Sequence, residues 1–132
     1  MKNRNETVIR VEATTFDGET RFVDTKGFWI DDESNKYQLH TGTLISSDNG
    51  MSTDWMLGDD AFFSTKDRDH DQSLPLHCAD LFCSGWWYIG CFSVNLNGLY
   101  SQTETISKAK GITSRRWRGL YVEMKMSKMQ IQ

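Results

Sequence analysis

Three aspartates alternate with other residues in the stretch STKDRDHDQS at 64–73, where they occupy Asp67, Asp69 and Asp71. Carboxylates at this spacing repel one another, and alternate side chains of a loop can converge on a single point. Carboxylate and carbonyl oxygens are the ligands that Ca²⁺ takes at about 2.3–2.6 Å. The run therefore indicates either a calcium site or a solvated acidic turn.

An EF-hand does not fit this acidic run. A loop that began at Asp67 would place Gln72 where an EF-hand has glycine, and Cys78 where it has the bidentate glutamate. The alternatives are a calcium loop of different architecture, a solvated turn, or part of a metal-dependent hydrolase that uses residues 69–71. Because we find no nucleophile, second ligand cluster or phosphate-binding loop, we expect no enzymatic activity.

The three cysteines, Cys78, Cys83 and Cys91, allow two kinds of site. An odd count leaves at least one cysteine unpaired within the chain or bonded to another molecule. A zinc site with His77 as a fourth ligand is one alternative, although the spacings match no compact zinc knuckle. One disulfide plus a spare thiol, free and buried by default, is the favoured interpretation.

Composition narrows the class of protein. The chain has 132 residues, the size of one domain that can bury a core. Its net charge is only −3, and one small basic cluster around Trp117 is interpreted as a solvated face, so we expect no nucleic-acid partner. No apolar run approaches the roughly 20 residues that span a bilayer, and residues 1–10 lack a signal-peptide core. We expect no membrane insertion.

Short strands and loops must position the acidic run and the cysteines. Alternation and aromatic or β-branched residues predict antiparallel strands in three segments, which are 7–13, 21–30 and 36–42. A long polar loop follows at 46–61. Periodicity is then weak from 62 to 100, where only 78–83 indicates a helical turn. Alternation returns at 120–131 and predicts a closing strand.

Five signatures occur in one order along the second half of the chain: FFSTKDRDHD (62–71), CADLFCSGWWYIGC (78–91), NLNGLY (95–100), KGITSRRWRG (110–119) and KMQI (128–131). Together they resemble the carboxy-terminal part of a fibrinogen-related domain, the module of fibrinogen chains, ficolins, tachylectins and angiopoietins. The stretch 9–42 is similar to the central strands of the same family. The family's amino-terminal subdomain has no counterpart here.

The resemblance implies an α+β fold of the fibrinogen C-terminal type. Such a fold has an antiparallel sheet with short helices and a long, loop-rich subdomain for calcium and ligand. Residues 1–132 would then form a partial domain. We expect the central sheet at about 7–61, the calcium- and ligand-binding loops at about 62–119, and a closing strand at 120–131 that returns to the sheet.

The resemblance also implies a bound Ca²⁺ ion that pins an irregular loop. The side chains of Asp69 and Asp71 would bind the ion, and carbonyl oxygens would complete the site. The expected carbonyl donors are Ser73 and either Leu74 or Pro75. The first aspartate of the run is expected to organise a turn rather than bind the ion.

A disulfide between Cys78 and Cys91 and a pocket for acetyl groups beside the calcium loop follow from the same resemblance. The pocket is built around the peptide bond that precedes the second cysteine, here Gly90–Cys91, which is often cis in relatives. Phe82 lies where relatives have an aromatic residue that packs on the acetyl methyl. Cys83 has no counterpart in the family.

Other positions of the implied pocket differ from the family's pattern. Phe92 stands where a histidine often follows the cysteine, so a polar contact is lost. Lys108 lies where acetyl-binding relatives have a tyrosine, and Ala109 after it fits. The bulky residues Trp86, Trp87 and Trp117 are expected in the core.

These features imply a calcium-dependent, non-catalytic recognition module with lectin-like binding of acetylated or acidic glycans in innate defence. The changed Phe92 and Lys108 favour an alternative, a module of the angiopoietin or fibrinogen type that binds a protein receptor or peptide. A third alternative is an incomplete fragment without independent function. The expected setting is extracellular, with a full-length protein that is secreted and oligomeric.

Overall fold

The computed structural model describes residues 6–48, 60–73, 75–92, 94–100, 111–114 and 124–132. Its strands in chain order are β1 (Val8–Thr14), β2 (Thr20–Lys26), β3 (Trp29–Ile30), β4 (Leu39–His40), β5 (Thr43–Ser47), β6 (Val94–Asn95), β7 (Thr113–Ser114) and β8 (Met126–Ile131). Within these described ranges, the short helix α1 (Cys78–Leu81) and a 3₁₀ turn (Glu33–Asn35) accompany the strands. Antiparallel strands with few helical residues confirm the expected fold class.

A four-stranded sheet in the order β5-β2-β1-β8 is the largest element of the described residues. Alternation along β1 buries Ile9, Val11 and Ala13 on one face. Val11 lies opposite Val23 of β2 and opposite Met129 of β8, so the core face runs across three strands. Strand β8 pairs with β1 and forms one edge of this sheet, and residues 120–123 lie outside the described ranges.

Two of the predicted strands are shorter than expected. The segment 21–30 is interrupted at Gly27, whose φ of +90° turns the chain between β2 and β3. In the segment 36–42 only Leu39–His40 is a strand, because Lys36 and Tyr37 have φ values of 55° and 53°. Predicting strand at Lys36 and Tyr37 was wrong, since left-handed residues end the 3₁₀ turn there.

Aromatic side chains fill the core between the sheet and the second half of the chain. Trp86, Trp87 and Tyr88 are buried, as is Leu39 of β4. The rings of Trp86 and Trp87 meet edge to face with centroids 5.2 Å apart, a favoured aromatic geometry. The predicted core positions of Trp86 and Trp87 are confirmed, and Trp117 lies outside the described residues.

The described residues contain no helix that is long and apolar enough to cross a membrane.

Candidate functional site

The acidic run lies on a loop that backbone hydrogen bonds hold in place. Ser64 and Trp86 exchange N–H to carbonyl hydrogen bonds at 3.0 and 3.2 Å, and Thr65 and Arg68 close a tight turn with two bonds of 3.0 Å. The Thr65 hydroxyl donates to Asp67 Oδ1 at 2.7 Å, and this bond lowers the pKa of the Asp67 carboxyl. Asp67 therefore organises the turn, as expected.

The structure brings Asp69 and Asp71 together with a histidine that precedes α1. One ligand atom from each of Asp69, Asp71 and His77 lies within 4.8 Å of the others. The sequence placed the two aspartates at a cation site but associated His77 only with the cysteines. The signal that could have added it is the position of His77 immediately before the helical turn, where it caps α1 by accepting a bond from the Asp80 N–H at 3.4 Å.

The carboxylate of Asp71 already binds two backbone N–H groups. Its Oδ1 accepts from Ser73 at 2.9 Å, and its Oδ2 accepts from Cys78 at 2.8 Å. Oδ1 of Asp69 in turn accepts from the N–H of Asp71 at 3.2 Å. Asp71 thus ties the loop to the first residue of α1, whereas Asp69 is exposed and accepts the longer bond from Asp71 within the described loop.

The donor atoms of this cluster fit a calcium ion. An ionised carboxylate has about four lone-pair sites, so Asp71 keeps acceptor capacity after its two hydrogen bonds. The carbonyls of Ser73 and Pro75 accept no backbone hydrogen bond from any residue that the structure describes. Oxygen atoms of this kind suit Ca²⁺, while the imidazole of His77 is a poorer ligand for that hard cation. Leu74, the alternative carbonyl donor, lies outside the described residues.

The disulfide between Cys78 and Cys91 is present, with a Cα–Cα distance of 5.5 Å. The zinc alternative is therefore wrong, because two of its four ligands are bonded to each other. Cys83 is free, as expected by default, but the expectation that it is buried is wrong. It follows α1 in a left-handed conformation with φ of 60°, and this turn leaves the thiol exposed.

The segment that ends the disulfide loop lies directly against the acidic loop. The Gly90–Cys91 peptide bond is cis, as expected. The N–H of Gln72 donates to the carbonyl of Ile89 at 2.9 Å. A Cβ atom at Gly90 would come within 3.8 Å of the Ser73 Cβ. Two adjacent residues of the acidic loop therefore contact the segment around which the pocket was predicted.

Three aromatic rings form a cluster beside this segment. Phe82 and Phe92 meet edge to face with centroids 4.7 Å apart, and Tyr88 lies 6.5 and 5.9 Å from them. Both phenylalanines remain partly exposed, so they can offer an apolar wall to a ligand. Lys108 and Ala109, the other predicted pocket residues, lie outside the described ranges.

A buried polar network that the sequence did not indicate supports the aromatic cluster. The side chain of Asn95 donates to Ser84 Oγ at 3.0 Å and to the Tyr88 hydroxyl oxygen at 3.2 Å. The Tyr88 hydroxyl also donates to the Ser84 carbonyl at 3.0 Å. Burial raises the pKa of Tyr88, and the bonds from Ser84 and Asn95 oppose that shift. The network orients one wall of the predicted pocket through Tyr88.

Comparisons with known proteins agree on one family. Residues 1–132 match the family model described as the C-terminal globular domain of fibrinogen beta and gamma chains. Techylectin-5A of Tachypleus tridentatus is 37% identical over 131 residues, which cover 99% of this chain and 44% of the relative. The chain thus spans less than half the length of that relative.

Solved structures share the fold. The fibrinogen-like globe domain of human ANGPTL6 superimposes with a TM-score of 0.86 at 29% identity, over 98% of this chain and 57% of that one. A lamprey fibrin D-dimer, complexed with the peptide ligand Gly-His-Arg-Pro-amide, gives a TM-score of 0.85 at 25% identity. That match covers 95% of this chain and 44% of the fibrin chain.

Proposed function

This chain belongs to the family of the C-terminal globular domain of fibrinogen beta and gamma chains, and we propose that it is a calcium-dependent, non-catalytic recognition module. Its ligands are acetylated or acidic glycans, bound in a lectin-like way. The observation that carries the proposal is the direct contact between the acidic loop and the pocket segment, through the Gln72–Ile89 hydrogen bond of 2.9 Å. A cation held by the loop can thereby fix the pocket.

Calcium is the proposed cofactor. Asp69 and Asp71 bind it through their side chains, and Ser73 and Pro75 through their carbonyl oxygens. The ion neutralises two carboxylates that otherwise repel each other and braces the loop. The cation thus serves the architecture of the site, and recognition belongs to the neighbouring pocket.

The proposed pocket combines backbone donors with an apolar wall. The N–H groups of Gly90 and Cys91 face a small polar group such as an acetyl carbonyl. Phe82 and Phe92 contact its methyl group, in the partly exposed cluster described above. Lys108 and Ala109 complete the pocket in this proposal. Sites for small ligands usually combine a few polar groups with an apolar wall.

An extracellular setting is part of the proposal. Disulfides such as Cys78–Cys91 persist in oxidising compartments and are rare in the cytosol. The relative Techylectin-5A is a lectin by name, which supports a lectin-like role in innate defence. In this proposal the full-length protein is secreted and oligomeric.

A second candidate is a module that binds a protein receptor or peptide. Phe92 is the observation that favours it, because its ring packs against Phe82 and Tyr88 and adds no hydrogen bond to the pocket. The lamprey fibrin relative holds a peptide ligand. An incomplete fragment without independent function is the third candidate.

Retention on an immobilised N-acetylated resin tests the proposal. We expect retention in millimolar calcium and elution by free acetate or by EDTA. A variant with Phe82→Ala should be retained less, whereas Leu99→Ala, which changes an exposed apolar residue, should behave as the parent chain. A folded chain that is never retained in calcium contradicts the glycan proposal, and capture of a peptide in its place supports the second candidate.

A further inference from the structure

A second groove borders the acidic loop. Its walls are the turn at 33–37 and the loop residues 63–70, and its cavity volume is about 260 Å³. The side chains that matter to its chemistry are Glu33, Lys36, Tyr37, Phe63, Arg68 and His70. Arg68 and His70 alternate along the chain with the two aspartates of the calcium site, so one loop serves two separate sites.

The groove is held open by hydrogen bonds that join its two walls. The N–H of Phe63 donates to the Lys36 carbonyl at 3.0 Å. The indole N–H of Trp87 donates to the Tyr37 carbonyl at 3.0 Å and fixes the turn to the core. On the opposite wall, Nδ1 of His70 donates to the Phe63 carbonyl at 2.9 Å, since a carbonyl can only accept. A ligand would therefore meet a preorganised surface.

Charge in the groove is predominantly positive. Lys36 places its Nζ 5.3 Å from the centroid of the Phe62 ring, and Arg68 places a guanidinium nitrogen 3.5 Å from a carboxylate oxygen of Glu33. Both partners of that ion pair are more than 60% exposed, so the pair is weak and a ligand can displace it. Tyr37 beside these cations is 44% exposed, so its ring can be reached by a ligand.

We propose that this groove binds the anionic ring unit of an acidic saccharide. Its carboxylate or sulfate pairs with Arg68 and Lys36, and its ring lies against Tyr37 and Phe63. The volume is just below the range of about 300–1,000 Å³ typical of sites for drug-sized ligands, which suits a single sugar ring. The groove shares no residue with the acetyl pocket, so either site can exist without the other.

Titration of glucuronate into the whole chain at constant calcium tests this proposal by NMR. We expect saturable shifts of the backbone N–H signals of Lys36, Tyr37 and Arg68, and binding at least about tenfold weaker for glucose, which lacks the charge. Arg68→Ala should weaken glucuronate binding about tenfold. Lys66→Ala, which removes a cation of the same loop outside this groove, should leave the affinity unchanged.

A substitution that should strengthen glucuronate binding distinguishes a loss of recognition from a loss of folding. Glu33→Gln removes the carboxylate that competes for Arg68, so it should strengthen glucuronate binding severalfold. Absence of saturable shifts, or equal effects of Arg68→Ala and Lys66→Ala, would overturn the proposal. Equal affinity for inorganic sulfate and glucuronate would overturn it too, because the ring would then contribute nothing. The glucuronate titration tests this groove independently of the acetyl-resin experiment, since the two sites share no residue.

Discussion

Oδ2 of Asp71 accepts a hydrogen bond from the backbone N–H of Cys78 at 2.8 Å. This bond joins the proposed calcium loop to a residue that is both the start of α1 and one end of the disulfide. Asp71 therefore anchors the loop to α1 before any cation binds, whereas Asp69 accepts a 3.2 Å bond from the Asp71 N–H within the same loop. The two aspartates should respond differently to mutation.

In calcium-free buffer, Asp71→Ala should lower the free energy of unfolding by about 1–3 kcal/mol, because two backbone N–H groups lose a charged acceptor. Asp69→Ala should leave it nearly unchanged, since that side chain is exposed and its removal relieves repulsion. Both variants should lose the rise in Tm that calcium causes in the parent chain. Chemical denaturation and thermal melts with and without calcium measure these effects.

Asp67→Ala is the matched control for this pair. It removes a carboxylate of the same run that bonds only within its own turn, so the calcium-dependent rise in Tm should persist. If the rise survives in both Asp69→Ala and Asp71→Ala, the assignment of the calcium site is wrong.

Removal of the disulfide should affect both stability and calcium binding. Replacing Cys78 and Cys91 by alanine opens a loop with a sequence separation of 13, which costs about 3 kcal/mol in the chain-entropy description. The backbone N–H of Cys78, which alanine retains, donates to Asp71. Without the bridge this anchor of the calcium loop is less firmly held, so calcium affinity should fall in the double variant. Isothermal titration with calcium measures this affinity. Cys83→Ser is introduced into both the parent chain and the double variant to prevent thiol exchange. An unchanged calcium affinity would show that the loop does not depend on the bridge.

Tyr88 should make the stability of the chain sensitive to alkaline pH. Burial raises its pKa in the folded state above the ordinary value of about 10, so folding favours the neutral phenol. The associated stability is present below that ordinary value and is lost as the pH rises through the folded-state pKa. Chemical denaturation should compare two variants, Cys83→Ser and Tyr88→Phe/Cys83→Ser, at neutral pH and above pH about 10. The free energy of unfolding should fall more between these pH values in the variant that keeps Tyr88. Equal slopes would contradict this role for Tyr88.

The Arg10–Asp24 ion pair, which joins β1 and β2, should stabilise the sheet more than the Glu12–Lys128 ion pair, which joins β1 and β8. Arg10 donates from two nitrogens to both oxygens of Asp24, each at 2.8 Å, and this hydrogen bonding raises the pKa of the guanidinium. Asp24→Asn should cost about 1 kcal/mol in chemical denaturation, a value that allows for the exposure of Arg10. Glu12→Gln, which alters the longer 4.0 Å pair with Lys128, should cost less than about 0.5 kcal/mol. Equal costs would show that the bidentate geometry adds nothing.

Features encoded in short stretches were predictable from the sequence. The alternation over 7–13 predicted a strand, and β1 buries Ile9, Val11 and Ala13 on one face. The resemblance placed the disulfide at Cys78 and Cys91, and the structure contains it. These features depend on periodicity or on motifs that are continuous in the chain.

Features that depend on tertiary contacts were not predictable in the same way. Lys36 and Tyr37 lie in a strand-like sequence, but their carbonyls accept bonds from Phe63 and Trp87, which are distant in the chain. His77 lies beside the aspartates at the point where Asp71 bonds to the start of α1, a contact that its place before the helical turn does not by itself predict. The polar network of Tyr88 likewise joins residues that have no pattern in common.

The calcium dependence of acetyl-ligand binding tests the central claim most directly. N-acetylglucosamine should be titrated into the chain by calorimetry at saturating calcium, then after removal of calcium with EDTA, and again after calcium is restored. The account predicts saturable binding in calcium, at least about tenfold weaker binding in EDTA, and full recovery. The same affinity in all three conditions would contradict it, because the loop that carries Asp69 and Asp71 would then have no influence on the pocket.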